Sequence, residues 1–273
     1  MNREQYKLQQ ISDRLWTCAA NTALVAALLG RDGRGFAIVA EETRKMSDKM
    51  QLLIEQAIFE NVEINMGKLK NAALEIMFLA YNAAIESHRL EEKGKQAAVC
   101  AEEIRSLAYL LTTDITDEIP LDRHPENVIP WAKTPLTTVI SNNLCFFLVE
   151  AGGKFFVENL INVEEVCYGL KEENGIVTIR GRKLPVVNLP KFLDTVSDKQ
   201  KYAKYVILRT PWAEESAEYA VAVDDFVTLF YSPIGTPVPA PADMPLYKYV
   251  RECWENENGD PFYFMDWIKM ANG

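Results

Sequence analysis

The chain has 273 residues, of which 48% are hydrophobic, so it is long and apolar enough for two domains with their own cores. Its formal net charge is −10, with net −1 on residues 1–113 and net −9 on residues 114–273, and neither part carries a basic stripe. This excludes nucleic acid and anionic membranes as expected partners, and the lack of a long apolar run, a secretory leader and a paired cysteine motif predicts a cytoplasmic protein.

Residues 19–46 (copy one) and 80–107 (copy two) are two copies of one segment, and they align with each other without a gap. Identical residues recur at a constant offset: Asn21 and Asn82, Gly33 and Gly94, Ala37 and Ala98, Arg44 and Arg105, and the Ala-Glu-Glu runs at 40–42 and 101–103. A constant offset indicates that one structural unit has been used twice.

Each copy has the pattern of two amphipathic helices joined by a short turn. Apolar residues recur at alternating spacings of three and four over 8–29 and 36–57, which is the spacing that buries one narrow helix face. The polar runs that end at Gly33 and Gly94 interrupt this pattern at corresponding places. We expect glycine within the runs 30–33 and 91–94 to adopt the positive φ that reverses a chain after a helix.

A loss of the helical phase around residues 61–67, with Gly67 available for a turn, predicts a second chain reversal. Residues 1–113 are therefore predicted to form an antiparallel four-helix bundle with both glycine turns at one end. The alternative is one continuous helix of about 55 residues, which would separate the two turns and expose its apolar seam to a second chain.

Residues 114–140 are predicted to be an extended linker, because a proline recurs every five residues from Pro120 to Pro135. From 141 to 273 the apolar period changes to two, and the candidate strands are 144–150, 154–158, 175–180, 183–188, 203–209, 218–224 and 226–231. A second proline-rich loop follows at 233–245, and 261–270 is expected to be a strand or helix that docks on a sheet edge. The predicted fold class is α + β, multidomain, with two small β-barrels in an all-β C-terminal domain.

No residue set in the sequence supports catalysis or metal binding. His88 and His124 are the only histidines, and neither has the spaced cysteines or carboxylates that a metal site or a catalytic triad needs. Cys18 and Cys100 lie on the predicted seams and are expected to be core residues. The glycine-rich run at 30–35 lies between helices, whereas a phosphate-binding loop follows a strand. We therefore expect a non-enzymatic protein without a cofactor.

The duplicated segment resembles the signalling tip of methyl-accepting chemotaxis proteins, in which two helical hairpins from two chains form a dimer. The resemblance rests on Gly33 and the run at 34–50, on the helix at 79–89 and on the helix at 97–108. It implies a hairpin whose turn region contacts partner proteins. The helices are too short to include the methylation region of that family, so methyl acceptance is not expected.

The receptor resemblance is split between the two copies. Copy one keeps the outgoing residues at 34–38 but lacks the glutamate and arginine that receptors carry on the incoming helix. Copy two keeps that pair as Glu86 and Arg89 but replaces the receptor Arg-Gly-Phe run at 95–97. Together the copies contain one complete tip, so residues 1–113 are predicted to imitate a receptor dimer within one chain.

The C-terminal half resembles the CheW family of coupling proteins over the runs 154–166, 176–193 and 219–230. It departs from that family at Asn188, where an aspartate is usual, and at Pro190, where an arginine is usual. The resemblance implies two small β-barrels that act through protein–protein contacts.

These resemblances predict a chemotaxis-type signalling adaptor or scaffold that couples chemoreceptor tips to a histidine kinase. The implied partners are the regulatory domain of the kinase, other CheW-like domains and chemoreceptor tips. The candidate contact residues are Asn21, Arg34, Phe36, Ile38, Asn82, Glu86, Arg89 and Val99 in the helical half, and Val163, Val166, Ile179, Arg180 and Gly181 in the β half.

Two alternatives remain open at this point. For the apolar candidates (Phe36, Ile38, Val99 and the valines of the β half) the alternative role is plain core packing, whereas the arginines are stronger candidates because a core seldom needs a charge. For the whole protein, the alternative is a small-molecule sensor with a pocket between the barrels and the helices as an oligomerisation module.

Overall fold

The computed structural model describes residues 3–60, 62, 64–113, 145–195, 204–210, 217–231, 236–256 and 258–272. These residues divide into two compact units, a helical unit up to residue 113 and a β-rich unit from residue 145. A helical first half and a strand-rich second half agree with the predicted fold class. The predicted linker at 114–140 and His124 within it lie outside the described residues.

The helical unit contains long helices joined, within each copy, by a one-turn 3₁₀ helix. The helices are α1 (Arg3–Leu29), α2 (Arg34–Glu60), α3 (Met66–Arg89) and α4 (Lys95–Thr113), and the turns are Gly30–Gly33 and Glu91–Gly94. The turns and the starts of α2 and α4 occupy equivalent positions in the repeat. Each copy is therefore a helix, a turn and a helix, as its pattern predicts. None of the described helices has the length and hydropathy that a membrane crossing requires.

Helix α1 packs on both α2 and α4, and α3 packs on both α2 and α4. An ion pair between Arg14 and Glu103, at 2.7 Å, joins α1 to α4. A second pair between Lys49 and Glu75, at 2.8 Å, joins α2 to α3. Hairpin one (α1 and α2) thus lies against hairpin two (α3 and α4) along both of its helices.

The chain reverses between α2 and α3, so the continuous-helix alternative is wrong for this structure. Helix α2 ends at Glu60, and Asn65 begins α3 as its N-cap, with the side-chain oxygen of Asn65 accepting a hydrogen bond from the backbone N–H of Lys68 at 3.1 Å. An asparagine cap satisfies one of the otherwise unpaired N–H groups of the first helical turn. The cap therefore marks a new helix start rather than a passage through a longer helix.

The apolar seams of both copies are buried. Phe36, Ile76 and Ile104 have no measurable exposure, and Cys18 and Cys100 lie beside them in the same core. The Cys18 thiol donates to the backbone oxygen of Cys100 at 3.7 Å, and burial raises the pKa of the Cys18 thiol to about 12. Both cysteines thus behave as small core residues, as the sequence predicts.

The expected positive φ falls on a glycine in the first turn, at Gly30, whereas in the second turn Gly94 does not adopt it. The residues with positive φ in the two turns are Gly30, at 59°, and its repeat equivalent Glu91, at 48°. Glycine is needed at positions 33 and 94 for a different reason, because a Cβ there would collide with the preceding helix. It would lie 2.8 Å from the carbonyl carbon of residue 26 at Gly33, and 2.8 Å from that of residue 87 at Gly94.

The β-rich unit contains two six-stranded sheets. Its strands are β1 (Cys145–Ala151), β2 (Lys154–Asn159), β3 (Val163–Tyr168), β4 (Glu172–Glu173), β5 (Ile176–Ile179), β6 (Arg182–Asn188), β7 (Lys204–Thr210), β8 (Ala217–Val223), β9 (Asp225–Tyr231), β10 (Thr236–Val238), β11 (Val250–Glu255) and β12 (Pro261–Met265). The first sheet has the order β10-β11-β12-β2-β1-β9 and the second β3-β7-β8-β6-β5-β4. The short helices are α5 (Leu189–Phe192) and α6 (Trp267–Asn272), with 3₁₀ turns at Leu160–Asn162 and Tyr247–Tyr249.

All the candidate strands are present, and each observed end lies within one residue of the predicted end. The sequence pattern missed β3, in which two adjacent glutamates break the alternation. It also missed β4 and β11, and β10 inside the proline-rich loop at 233–245. The segment 261–270 forms both β12 and α6. Strand β12 lies inside the first sheet, paired with β11 and parallel to β2, so the prediction that it docks on an edge is corrected.

The two sheets enclose an apolar interior. Phe147 of β1, Leu208 of β7 and Val221 of β8 face one another across a gap of only about 10 Å³. A space of that size holds at most one water molecule. This gap, which is lined by residues that the structure describes, therefore offers no room for a small-molecule ligand.

Candidate interaction surfaces

The ends of the two hairpins meet through residues that are equivalent in the repeat. Nζ of Lys93, in the turn of hairpin two, lies 3.1 Å from the carboxylate of Asp32, in the turn of hairpin one. Both side chains are more than half exposed, so this ion pair lies on the surface. It places the two turns side by side at one end of the helical unit, as the predicted bundle requires.

The receptor-like residues that are split between the copies come together beside these turns. The side chain of Glu86, in hairpin two, lies directly over Gly35, in hairpin one, so that a Cβ at Gly35 would come 2.5 Å from Cδ of Glu86. Arg89 pairs with Glu86 at 3.0 Å. Because Gly35 of copy one has no side chain, the side chain of Glu86 in copy two can reach across to hairpin one.

The equivalent positions of the repeat carry different residues. There Gln96 stands where Gly35 stands in copy one, and Val25 stands where Glu86 stands in copy two. The Glu86 and Gly35 arrangement thus occurs once per chain. We call it, together with Arg34 and Arg89, the tip face.

Other candidate residues of the helical unit differ in exposure. Ile38 and its repeat equivalent Val99 are exposed by 46% and 60%, Asn21 is exposed, and Asn82 is half-buried. Phe36 is fully buried, so it is corrected to a core residue. An aromatic side chain at a seam position packs between helices and cannot touch a partner without unfolding its surroundings.

Arg34 is exposed at the start of α2, and among the described residues it has no ion-pair partner. It borders a groove of about 420 Å³ between α1 and α2 that is otherwise lined mainly by alanine and glycine, with the exposed Trp16 at one side. No motif in the sequence predicts this groove. A residue-by-residue comparison of the copies would have indicated it, because copy two has Tyr81 where the groove has Ala20.

In the β-rich unit, the candidate arginine lies in the turn between β5 and β6. Arg180 and Gly181 both have positive φ, 48° and 81°, and two successive residues of this kind form the tight hairpin turn that matches the twist of its strands. The Arg180 side chain is 61% exposed and pairs with Glu165 at 2.9 Å. The turn therefore presents the Arg180 guanidinium at the surface. Its partner Glu165 is largely buried.

Arg182 forms the centre of a charge cluster next to this turn. It pairs with Glu164 at 3.0 Å, with Glu218 at 2.9 Å and with Glu165 at 3.4 Å. Arg182 is more enclosed than Arg180, and its carboxylate partners come from β3 and β8. The cluster thus ties β3, β6 and β8 together and leaves Arg180 as its exposed member.

The apolar candidates of the β-rich unit are core residues. Val163, Val166 and Ile179 are exposed by 5% or less. Val163 and Val166 lie in β3, which is an edge strand of the second sheet, but their side chains point inward. These three residues are therefore corrected to core packing, and Arg180 and Gly181 remain as surface candidates.

No family model matches the chain, but comparison with individual known proteins finds similarities for both halves. Over 90 residues of the helical region, 31% are identical to the methyl-accepting chemotaxis protein McpC of Bacillus subtilis (strain 168). That match covers 33% of this chain and 12% of McpC, so the chain spans about an eighth of the length of that relative. The helical region is thus similar to a chemotaxis receptor, as its motifs predict.

A similar solved structure is the scaffolding protein TtCheW from Thermoanaerobacter tengcongensis. The similarity covers 45% of this chain and 84% of the TtCheW chain, with 13% sequence identity and a TM-score of 0.37.

Proposed function

We propose that this protein is a non-enzymatic adaptor of a chemotaxis-type signalling assembly. In this proposal residues 1–113 are an antiparallel four-helix bundle that imitates a receptor-tip dimer within one chain. Residues 114–140 are the linker, and residues 141–273 are a CheW-like domain of two small barrels. The observation that carries the proposal is the tip face, where Glu86 of copy two lies over Gly35 of copy one.

The tip face supports this function because it restores a complete receptor-like set from two incomplete copies. A duplicated bundle with a purely structural role would need the seam residues but would have no need to bring Arg34, Glu86 and Arg89 to one end. Two of these side chains are held in place by their mutual ion pair. Pre-organised polar groups at a surface are typical of a binding site, since less side-chain freedom is lost on association.

The partners in this proposal are chemoreceptor tips, CheW-like domains and the regulatory domain of a chemotaxis-type histidine kinase. On the helical unit they would contact the tip face together with the exposed Ile38 and Val99, and the candidate asparagines Asn21 and Asn82. On the β-rich unit they would contact the turn of Arg180 and Gly181.

A calorimetric titration tests the tip face. The full chain would be titrated with a purified receptor tip and with the kinase regulatory domain from the same organism. Arg34→Glu is the informative variant, because Arg34 has no ion-pair partner among the described residues and its reversal should leave the fold intact. We expect at least about tenfold weaker binding, the size expected for reversing a charge at an interface.

The matched control is Lys70→Glu, which reverses an exposed charge on α3 outside the tip face. This variant should bind as the wild type does. Equal weakening by both variants would mean that net charge, and not the tip face, governs binding. Failure of the wild-type chain to bind either partner would overturn the proposed function.

A further inference from the structure

Three short elements of the β-rich unit meet at one place on its surface. Helix α5 places the ring of Phe192 against the ring of Tyr249, with centroids 6.2 Å apart. Helix α6 is tied to the 3₁₀ turn that contains Tyr249 by two hydrogen bonds: Asp266 N–H donates to the Tyr249 carbonyl at 2.8 Å, and Lys269 Nζ donates to the Lys248 carbonyl at 2.8 Å. Tyr249 is buried and forms the floor of this surface.

Each of these elements contributes one exposed apolar side chain and one exposed lysine at adjacent positions. We call the set the aromatic–lysine patch, and its members are Lys191 and Phe192, Tyr247 and Lys248, and Ile268 and Lys269. The apolar members are exposed by 42%, 49% and 39%. Single exposed apolar residues are common, but a group on one surface indicates an interaction site.

The charge of the patch is opposite to that of its surroundings. Residues 114–273 carry a net charge of −9, and elsewhere in the β-rich unit arginines such as Arg182 are paired with carboxylates. Among the described residues, none of the three patch lysines has an ion-pair partner. The Lys248 ammonium instead lies 4.6 Å from the centre of the Tyr249 ring. The patch is therefore a group of uncompensated cations on an acidic domain.

Helix α6, which carries part of the patch, is anchored to the β-rich unit through its buried face. Trp267 and Met270 of α6 are buried, and the indole N–H of Trp267 donates to the carboxylate of Glu158. The backbone N–H of Lys269 donates to the side chain of Asp266 at 3.0 Å. Because α6 is anchored through one face, its other face, with Ile268 and Lys269, is fixed in an outward orientation.

We propose that the aromatic–lysine patch binds an acidic segment of a partner protein that carries leucine or aromatic anchors between its carboxylates. The lysines would pair with the carboxylates, and the apolar members would bury the anchors. An anionic bilayer is a poorer occupant, because an extended surface also meets the acidic remainder of the domain, whereas a short segment meets the patch alone. This inference does not depend on the function proposed above.

Fluorescence anisotropy with the full chain tests the proposal. The probe is a short labelled peptide of glutamate, leucine and phenylalanine, at low ionic strength. The triple variant K191E/K248E/K269E is expected to bind the probe at least about tenfold more weakly than the wild type, since three attractive charges become repulsive. Lys171→Glu reverses an exposed lysine that is outside the patch and paired with Glu173, and it should bind as the wild type does.

Two further experiments are needed. One separates the apolar contribution to binding from the electrostatic one, and the other distinguishes an acidic peptide from an anionic lipid as the ligand. Ile268→Ser, which keeps all three lysines, should weaken binding about threefold to tenfold if the apolar anchors are bound. Vesicles of phosphatidylserine provide the lipid comparison. Unchanged peptide binding by the triple variant, or tighter binding of the wild type to the vesicles than to the peptide, would overturn the proposal. Thermal melts of every variant confirm that the fold is retained, and the triple glutamine variant replaces the triple glutamate one if the latter unfolds.

Discussion

The ammonium of Lys93 lies 3.1 Å from the carboxylate of Asp32, and the two residues occupy the same position in the two copies of the repeat. In a symmetric dimer of identical hairpins, residues at that position would be identical, and like charges would face each other. Two hairpins within one chain can carry opposite charges there. The pair is exposed and adds little stability, but it favours the pairing of hairpin one with hairpin two over the pairing of identical hairpins.

This relationship predicts a charge-swap experiment. Asp32→Lys and Lys93→Asp should each lower the free energy of unfolding by about 0.5 kcal/mol, because each places like charges side by side. The double variant D32K/K93D should regain the wild-type value, since the pair is restored in reverse. Urea unfolding at low salt measures the four proteins. Additive losses in the double variant would show that the two side chains do not interact.

The left-handed residue of each turn gives a second prediction. Glu91 has a φ of 48°, where a side chain is strained, whereas Gly30 takes the same conformation without strain. Glu91→Gly should therefore raise the free energy of unfolding by about 0.5–1 kcal/mol, and Gly30→Ala should lower it by about 1 kcal/mol. A Cβ at Gly30 meets nothing within 4 Å, so that loss would report on the backbone alone. A melting temperature that falls in Glu91→Gly would contradict this reading.

Close approach of the helices gives a third prediction. Gly94→Ala should cost about 2–4 kcal/mol, because its Cβ would overlap the carbonyl group of Ser87 in the preceding helix. The control is Gly67→Ala in the first turn of α3, where the nearest atom, Asn65 Oδ1, is 3.3 Å away. That change should shift the free energy of unfolding by less than about 1 kcal/mol. Comparable losses in both variants would refute a specific role for position 94.

The carboxyl of Glu158 predicts a pH dependence of stability. Burial raises the pKa of Glu158, although its hydrogen bonds from Asn162, from the Asn159 backbone and from Trp267 favour the ionised form. A raised pKa means that the folded state binds the proton more tightly than the unfolded state. This contribution to stability is fully present below the unfolded pKa of about 4.3 and is lost as the pH rises through the folded pKa.

The variant Glu158→Gln isolates this effect. The difference in free energy of unfolding, variant minus wild type, should rise as the pH increases from about 4 to about 7, because only the wild type pays for a buried charge. Chemical unfolding at several pH values measures that difference. A flat difference for Glu158→Gln would show that its carboxyl is ionised freely in the fold.

Arg180 gives a prediction about binding rather than stability. Its side chain is 61% exposed, so Arg180→Ala should weaken binding of the kinase domain or receptor tip by about 1–3 kcal/mol while the melting temperature barely changes. The competing role is a brace through Glu165. Lost stability with unchanged affinity would establish the brace and remove Arg180 from the interaction surface. Calorimetry and a thermal melt on the same preparation decide between them.

Much of the helical unit was predictable because a repeat supplies two readings of the same structure. The offset gave the apolar stripes of the helices and the position of both turns, and the split of receptor-like residues indicated that the two copies together hold one complete tip. The repeat could not show that the first residue of each turn, Gly30 or Glu91, takes the positive φ. The sign of φ depends on the path of the backbone through the turn. The requirement for glycine at position 94 was also hidden, because it comes from the close approach of Ser87 in the preceding helix.

The β-rich unit was less predictable at its charged positions. Alternation gave seven strands correctly, but the Glu164 and Glu165 pair hid β3, because one of the two must face the same side as the core valines. The structure shows that Glu165 is held there by two arginines, Arg180 and Arg182. Such pairing connects residues far apart in the sequence, so no local pattern reveals it.

The placement of Glu86 over Gly35 once per chain also has a consequence for stoichiometry. A symmetric homodimer presents every surface twice, so it can bridge two neighbours and extend a lattice, and a single codon change alters both of its sites. In this chain each codon of the tip face specifies one site. If partners bind the tip face as proposed, each chain offers them one such site, and a lattice that grows by tip contacts would end at this chain.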